Sequence, residues 1–139
     1  MSPSSSPQRR FSSLPATECL SLLASHTIGR VGWNTTEGPQ ILPVSYVLRG
    51  GSIIFRTAAY GALSELRNVR QVAFEVDEFD VTTRTGWSVL VRGWAKAATN
   101  PDELSGLWEQ QDPIPWATGV RTLFITVSTD QLSGRVISG

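Results

Sequence analysis

Gln40-Ile41-Leu42-Pro43-Val44-Ser45-Tyr46-Val47-Leu48-Arg49-Gly50-Gly51-Ser52-Ile53-Ile54-Phe55-Arg56-Thr57 reads as two strands folded back on one another. β-Branched and aromatic residues dominate both arms, as a pleated, half-buried surface requires. Gly50-Gly51 supplies the two positive-φ positions that a two-residue hairpin demands. Pro43 interrupts the first arm. It has no N–H to give to a ladder, so it marks an edge, a bulge or a place where a ligand lies against the backbone; taken alone, the edge is the simplest of these.

Upstream, Ile28–Trp33 is a short strand and Asn34–Pro39 holds turn residues, which extends the hairpin into an antiparallel meander. Before it, Pro15–Ser25 has Ala16, Cys19, Leu20 and Leu23 at i, i+3, i+4 and i+7, the single apolar stripe of a helix. Residues 1–12, rich in Ser and Pro, read as a solvated, disordered tail, because they bury too little to offset ordering entropy. Downstream, Ala62–Asn68 predicts a short helix. Val72, Phe74 and Val76 alternate with Glu75 and Asp77 in a strand over Gln71–Asp77. Phe79–Thr85 is a polar loop, and Gly86–Thr99 is the longest strand, apolar on both faces. Asn100-Pro101-Asp102-Glu103 opens a helix by capping chemistry. A loop carrying Trp116 follows, then a last strand over Arg121–Ser128 with Leu123, Ile125 and Val127 inward. Six short strands and three helices, mainly β with antiparallel neighbours, favour a barrel or sandwich, since closure removes exposed edges. Residues 13–139 read as one domain.

Composition narrows the function. Lys+Arg and Asp+Glu are 12 each in 139 residues, so no field gathers nucleic acid or anionic lipid. One cysteine, Cys19, excludes an internal disulfide, and with a single histidine, His26, it makes a protein-ligated structural zinc site unattractive. No apolar run reaches membrane-spanning length, so a cytoplasmic location is expected. The same scarcity leaves no nucleophile–base pair around Cys19. Glu75, Asp77, Glu78 and Asp80 are most simply a solvated face and loop. Three groups stand out: Pro43 with Val44 and Ser45; Phe55-Arg56-Thr57 followed by a loop and a helix start at Gly61-Ala62-Leu63-Ser64, a combination able to hold a phosphate; and five tryptophans, among them Trp87 and Trp116, whose rings can stack on a planar heterocycle.

Seven segments in this order resemble the pyridoxamine 5′-phosphate oxidase-like, flavin-binding split-barrel family. They are Thr17–Leu23, Ile28–Gly32, Leu42–Tyr46, Ile54–Thr57, Val72–Asp77, Gly86–Gly93 and Trp116–Gly119, within about Leu14 to Ile137. The resemblance implies a six-stranded antiparallel split β-barrel, a homodimer, and an FMN in each of two clefts between subunits. It implies that Pro43, Val44 and Ser45 lie along the flavin ring, and that Phe55, Arg56, Thr57, Leu63 and Ser64 approach the phosphate. Trp87 and Ser88 would reach the cofactor from one side of the interface, and Trp116 would close over it. It implies an oxidoreductase acting on a small molecule, with no catalytic acid or base named. Two alternatives go with it: a deazaflavin-dependent reductase using Arg56 and Arg92, and a non-catalytic flavin or haem binder. Many members carry a Lys or Arg where this chain has Ala62, and vitamin B6 oxidases carry a C-terminal Arg/His motif not matched by Ser133–Gly139, so pyridoxal phosphate synthesis is not expected.

Overall fold

The computed structural model describes residues 10–99 and 123–138. Strand β1 (Arg10–Leu14) leads into helix α1 (Ala16–Ala24). Then come β2 (Ile28–Thr35), β3 (Gly38–Arg49), β4 (Ser52–Thr57), a 3₁₀ helix (Ala62–Arg67), β5 (Arg70–Asp80), β6 (Thr85–Ala97), β7 (Leu123–Val127) and β8 (Gln131–Ser138). The strands form one antiparallel sheet in the order β1-β8-β6-β5-β2-β3-β4-β7, and β6 also pairs with β7. That last pairing closes β6-β5-β2-β3-β4-β7 into a six-stranded barrel, as expected. Strand β6 splits the barrel. One edge pairs with β5, while the other pairs with β8 over Gly86–Arg92 and with β7 over Ala95–Ala97.

The alternation read from the sequence sets the two faces. Val31, Tyr46, Phe55, Phe74, Val91 and Ile125 are fully or almost fully buried inside. Each such side chain contributes about 1.5–3 kcal/mol on burial. Helix α1 plugs one end through Cys19 and Leu23. Buried Tyr46 fastens it there, donating its hydroxyl to the Leu23 carbonyl at 2.6 Å while its ring meets Phe74 edge-on at 5.0 Å. The Gly50-Gly51 turn takes φ of 60° and 80°, the geometry the hairpin requires.

Two expectations are corrected. Strands β1 and β8 add to the predicted six, so the solvated tail does not extend to residue 12: Arg10–Leu14 form a ladder with Gly134–Ser138. Phe79–Thr85 is not an open loop, because β5 and β6 run to Asp80 and Thr85; Asp80 Oδ1 accepts the Thr82 and Thr83 N–H groups at 2.8 and 3.1 Å and closes the turn. The second face of β6 is covered in part, at Ser88 and Leu90, and open at Trp94, which is 47% exposed. The helix from Asn100 and the loop at Trp116 lie outside the described residues.

Candidate functional site

Strand β4 pairs with β3 only over Tyr46–Arg49, and beyond Tyr46 the stretch Gly38–Ser45 pairs with β2 alone among the described residues. Pro43 stands on this edge opposite Arg30, so the edge reading of its missing N–H holds. Pro43 and half-buried Ser45 belong to the outer face, whereas Val44, 7% exposed, points into the barrel. One step past the Tyr46–Phe55 pair, the same outer face continues onto β4 as Arg56. Its guanidinium lies over the Phe124 ring of β7, 5.2 Å from the centroid. Phe55 and Thr57, flanking Arg56, turn inward and are buried. Of the β3 and β4 residues predicted to form a site, Pro43, Ser45 and Arg56 therefore share a surface, and Val44, Phe55 and Thr57 form the wall behind it.

The chain then turns through Ala58–Gly61 into the 3₁₀ helix. Gly61 takes φ of 99°, open to glycine and strained for other residues. The Ser64 hydroxyl donates to the Gly61 carbonyl at 2.6 Å, so its proton is committed to the loop. Leu63 packs against the barrel core, and Ala62 is exposed. Arg67 folds back over the loop: its Nε–H donates to the Ser64 carbonyl at 3.0 Å and an Nη2–H donates to the Ala59 carbonyl.

Trp87 and Ser88 occupy another part of the barrel. Ser88 pairs with Asp77. Four inter-strand spacings, β4 to β3 to β2 to β5 to β6, separate it from Arg56, about 19 Å around the wall at about 4.8 Å each. Trp87 closes the barrel end and meets the His26 ring edge-on at 4.8 Å. His26 Nε2 lies 3.3 Å from Glu78 Oε2, and its Nδ1 lies 2.9 Å from the Leu22 carbonyl oxygen. A single chain thus does not bring Trp87 and Ser88 to Arg56. Arg92 also stands apart, on β6 opposite Ala73.

Between these places runs the outer face of β2 and β5. Glu75 sits opposite Arg30, and the two form an ion pair at 3.5 Å. Burial, then the hydrogen bond and negative charge of Asp77, push the Glu75 carboxyl up to about 7 against the pull of Arg30. Glu75 is therefore not the plain solvated carboxylate expected of it; it exchanges a proton near neutrality. Next to it, a groove of about 390 Å³ is lined by Gly32, Asn34, Pro39, Ala73 and Arg92 among others. Gly32 faces Ala73 across the β2–β5 ladder, and these two small residues form its floor. Among the described residues no group of His, Cys, Asp and Glu is arranged to hold a metal ion, and no helix is long and apolar enough to cross a membrane.

Residues 15–136 match the model of the pyridoxamine 5′-phosphate oxidase family. The chain belongs to that family. Within it, an uncharacterised protein of Mycobacterium tuberculosis is 32% identical over 96% of this chain and 93% of its own length. A solved FAD-binding protein of Mycobacterium smegmatis is 31% identical, covers 89% of this chain and 96% of its own, and superposes with a TM-score of 0.74. A Corynebacterium glutamicum structure provisionally named a pyridoxamine 5′-phosphate oxidase is 26% identical, with coverages of 91% and 92% and a TM-score of 0.74.

Proposed function

We propose that this protein binds a flavin nucleotide on the outer face of β3 and β4, and that two copies complete each binding cleft to form an oxidoreductase. The observation that carries this reading is the run from Pro43 through Ser45 to Arg56. A strand edge with no ladder partner among the described residues leaves backbone polar groups and a flat surface for a planar ring, and a cation stands at the end of that surface. The residues present suit the group: apolar Pro43 and the Ser45 hydroxyl for the ring, the Arg56 guanidinium for an anionic phosphate. The flavin would supply hydride or electron transfer; the protein's part is to orient it, exclude water and hydrogen-bond its ring. That division of labour agrees with a chain holding one His and one Cys.

FMN is the first candidate, and FAD its direct competitor, because a relative 31% identical is an FAD-binding protein. The homodimer is supported by reach. Trp87 and Ser88 lie on β6, three strand spacings or about 14 Å around the wall from Pro43 on β3, so in this reading they reach the ring from a second copy. Ile41 and Trp94, 65% and 47% exposed on the outer wall, offer that copy apolar contact.

An absorption spectrum of the purified protein, with mass measurement of what denaturation releases, tests the reading. Flavin bands, or their appearance on adding FMN or FAD, are expected. Colourless protein that ignores millimolar amounts of both removes it.

A further inference from the structure

We propose that Arg67 is the second cation of the phosphate site, beside Arg56; this rests on the flavin reading above. The loop after β4 closes around its guanidinium through the bonds to Ala59 and Ser64, which hold the planar head over residues 59–64. Two of its five N–H donors are used there, and three remain for an oxyanion. Among the described residues no carboxylate neutralises it: its neighbour Glu65 is turned to Arg70, at 3.5 Å, and toward the Trp33 indole N–H, also at 3.5 Å. A fixed positive charge therefore stands on a loop that begins just beyond Arg56.

Two further features place the pair at one end of the barrel. The 3₁₀ helix that carries Arg67 packs against β6 and β7. Strand β7 in turn carries Phe124, paired with Arg56 and lying beneath its guanidinium. The Arg67 head, bonded to the Ala59 carbonyl, thus stands at a point of the chain three residues beyond Arg56. The Ser64 hydroxyl, its proton given to Gly61, is not a free donor, so the loop's anion-holding capacity falls to Arg67. A guanidinium suits this role because its fork can bond the loop carbonyls and two phosphate oxygens at once.

The test is a flavin titration of the full-length protein and its Arg67→Ala and Arg67→Lys variants, with FMN and, separately, riboflavin, which has no phosphate. Loss of one charge-assisted contact should weaken FMN binding by about ten- to a hundredfold in Arg67→Ala and leave riboflavin binding unchanged. Arg67→Lys should recover part of the loss. Adding Ala62→Lys to Arg67→Ala should recover it too, by restoring a cation at the neighbouring position. Unchanged FMN affinity in a folded Arg67→Ala protein overturns the assignment, as does an equal fall for both ligands, which marks a loop clamp and nothing more. If Arg67→Ala does not fold, the lysine variant decides: FMN affinity lowered relative to riboflavin supports the assignment, and parallel changes overturn it. Wild-type protein that binds riboflavin but gains nothing from the phosphate overturns the assignment and leaves the flavin reading standing; wild type that binds neither overturns both.

Discussion

Alanine at Gly93 strikes the point where the barrel splits. The free edge of β6 pairs with β8 up to Arg92 and with β7 from Ala95, and Gly93 lies in the gap between. A Cβ built there stands 1.9 Å from the Ser128 carbonyl oxygen and 2.9 Å from its carbonyl carbon. The obstacle is backbone, and it is pinned: Ser128 N–H donates to the Trp94 carbonyl at 3.1 Å, and the Ser128 hydroxyl accepts the Trp94 N–H at 2.9 Å while donating to Asp130 at 2.7 Å. Relieving the clash means moving β6 away from the segment after β7 and stretching both Trp94 bonds. Overpacking costs about 1–3 kcal/mol and two weakened hydrogen bonds about 1 kcal/mol each, so roughly 3 kcal/mol or more is expected. For a chain of this length that is a fall in Tm of about 10 °C, read by thermal circular dichroism. Gly32→Ala is the control, since its new Cβ meets only the Gln40 carbonyl oxygen at an ordinary 3.5 Å; a change within about 0.5 kcal/mol is expected. A Gly93→Ala protein melting within a degree or two of wild type would refute the steric argument and the split drawn from it.

Glu75→Gln should change the pH dependence of stability. The folded carboxyl ionises at about 7, above its ordinary 4.5, so its contribution is complete below 4.5 and is lost as pH rises through 7. Relative to wild type, the glutamine variant should therefore gain about 1–3 kcal/mol between pH 5 and pH 8, after allowance for its 30% exposed side chain, in urea titrations at both pH values; a constant difference would contradict this. Tyr46→Phe removes the 2.6 Å bond to the Leu23 carbonyl and leaves that oxygen only the longer bond from the His26 N–H at 3.4 Å, so it should cost about 1 kcal/mol in the same assay; a neutral result would show that the His26 bond suffices. Arg56→Ala should weaken FMN more than riboflavin by about tenfold or more in fluorescence titrations, and equal affinities would remove Arg56 from the phosphate. Trp87→Ala should lower flavin affinity only where two copies associate, so mixing it with Arg56→Ala chains should rebuild one of the two clefts in each mixed dimer, about a quarter of all clefts in an equal, randomly assorted mixture; a mixture with no intact sites would count against shared clefts.

The barrel was legible because its strands are local patterns. Val72, Phe74 and Val76 announce an inner face, and Gly50-Gly51 fixes a register with two residues. Strand β1 was not legible, for Arg10–Leu14 bury only part of Leu14, and the segment is a strand because β8, more than a hundred residues on, offers it a ladder. The site divides in the same way. Pro43 and Arg56 could be singled out, since a missing N–H and a strand-end cation are properties of the residue itself. Arg67 could not, because its role depends on a fold-back to Ala59 that no spacing announces. Glu75 looked solvated until Arg30 and Asp77 were found beside it, and His26 acquired Trp87 and Glu78 only when a helix end met a hairpin. The Arg30–Glu75, His26–Glu78 and His26–Trp87 contacts join distant segments and are invisible to periodicity.

A crystal structure of the protein grown with FMN addresses the central claim most directly. Electron density for the ring along Pro43–Ser45, with its phosphate at Arg56 and Trp87 of a second copy across the cleft, is the predicted result. A ring lodged elsewhere, or a well-ordered β3 edge covered by protein with the flavin absent at saturating concentration, would contradict it.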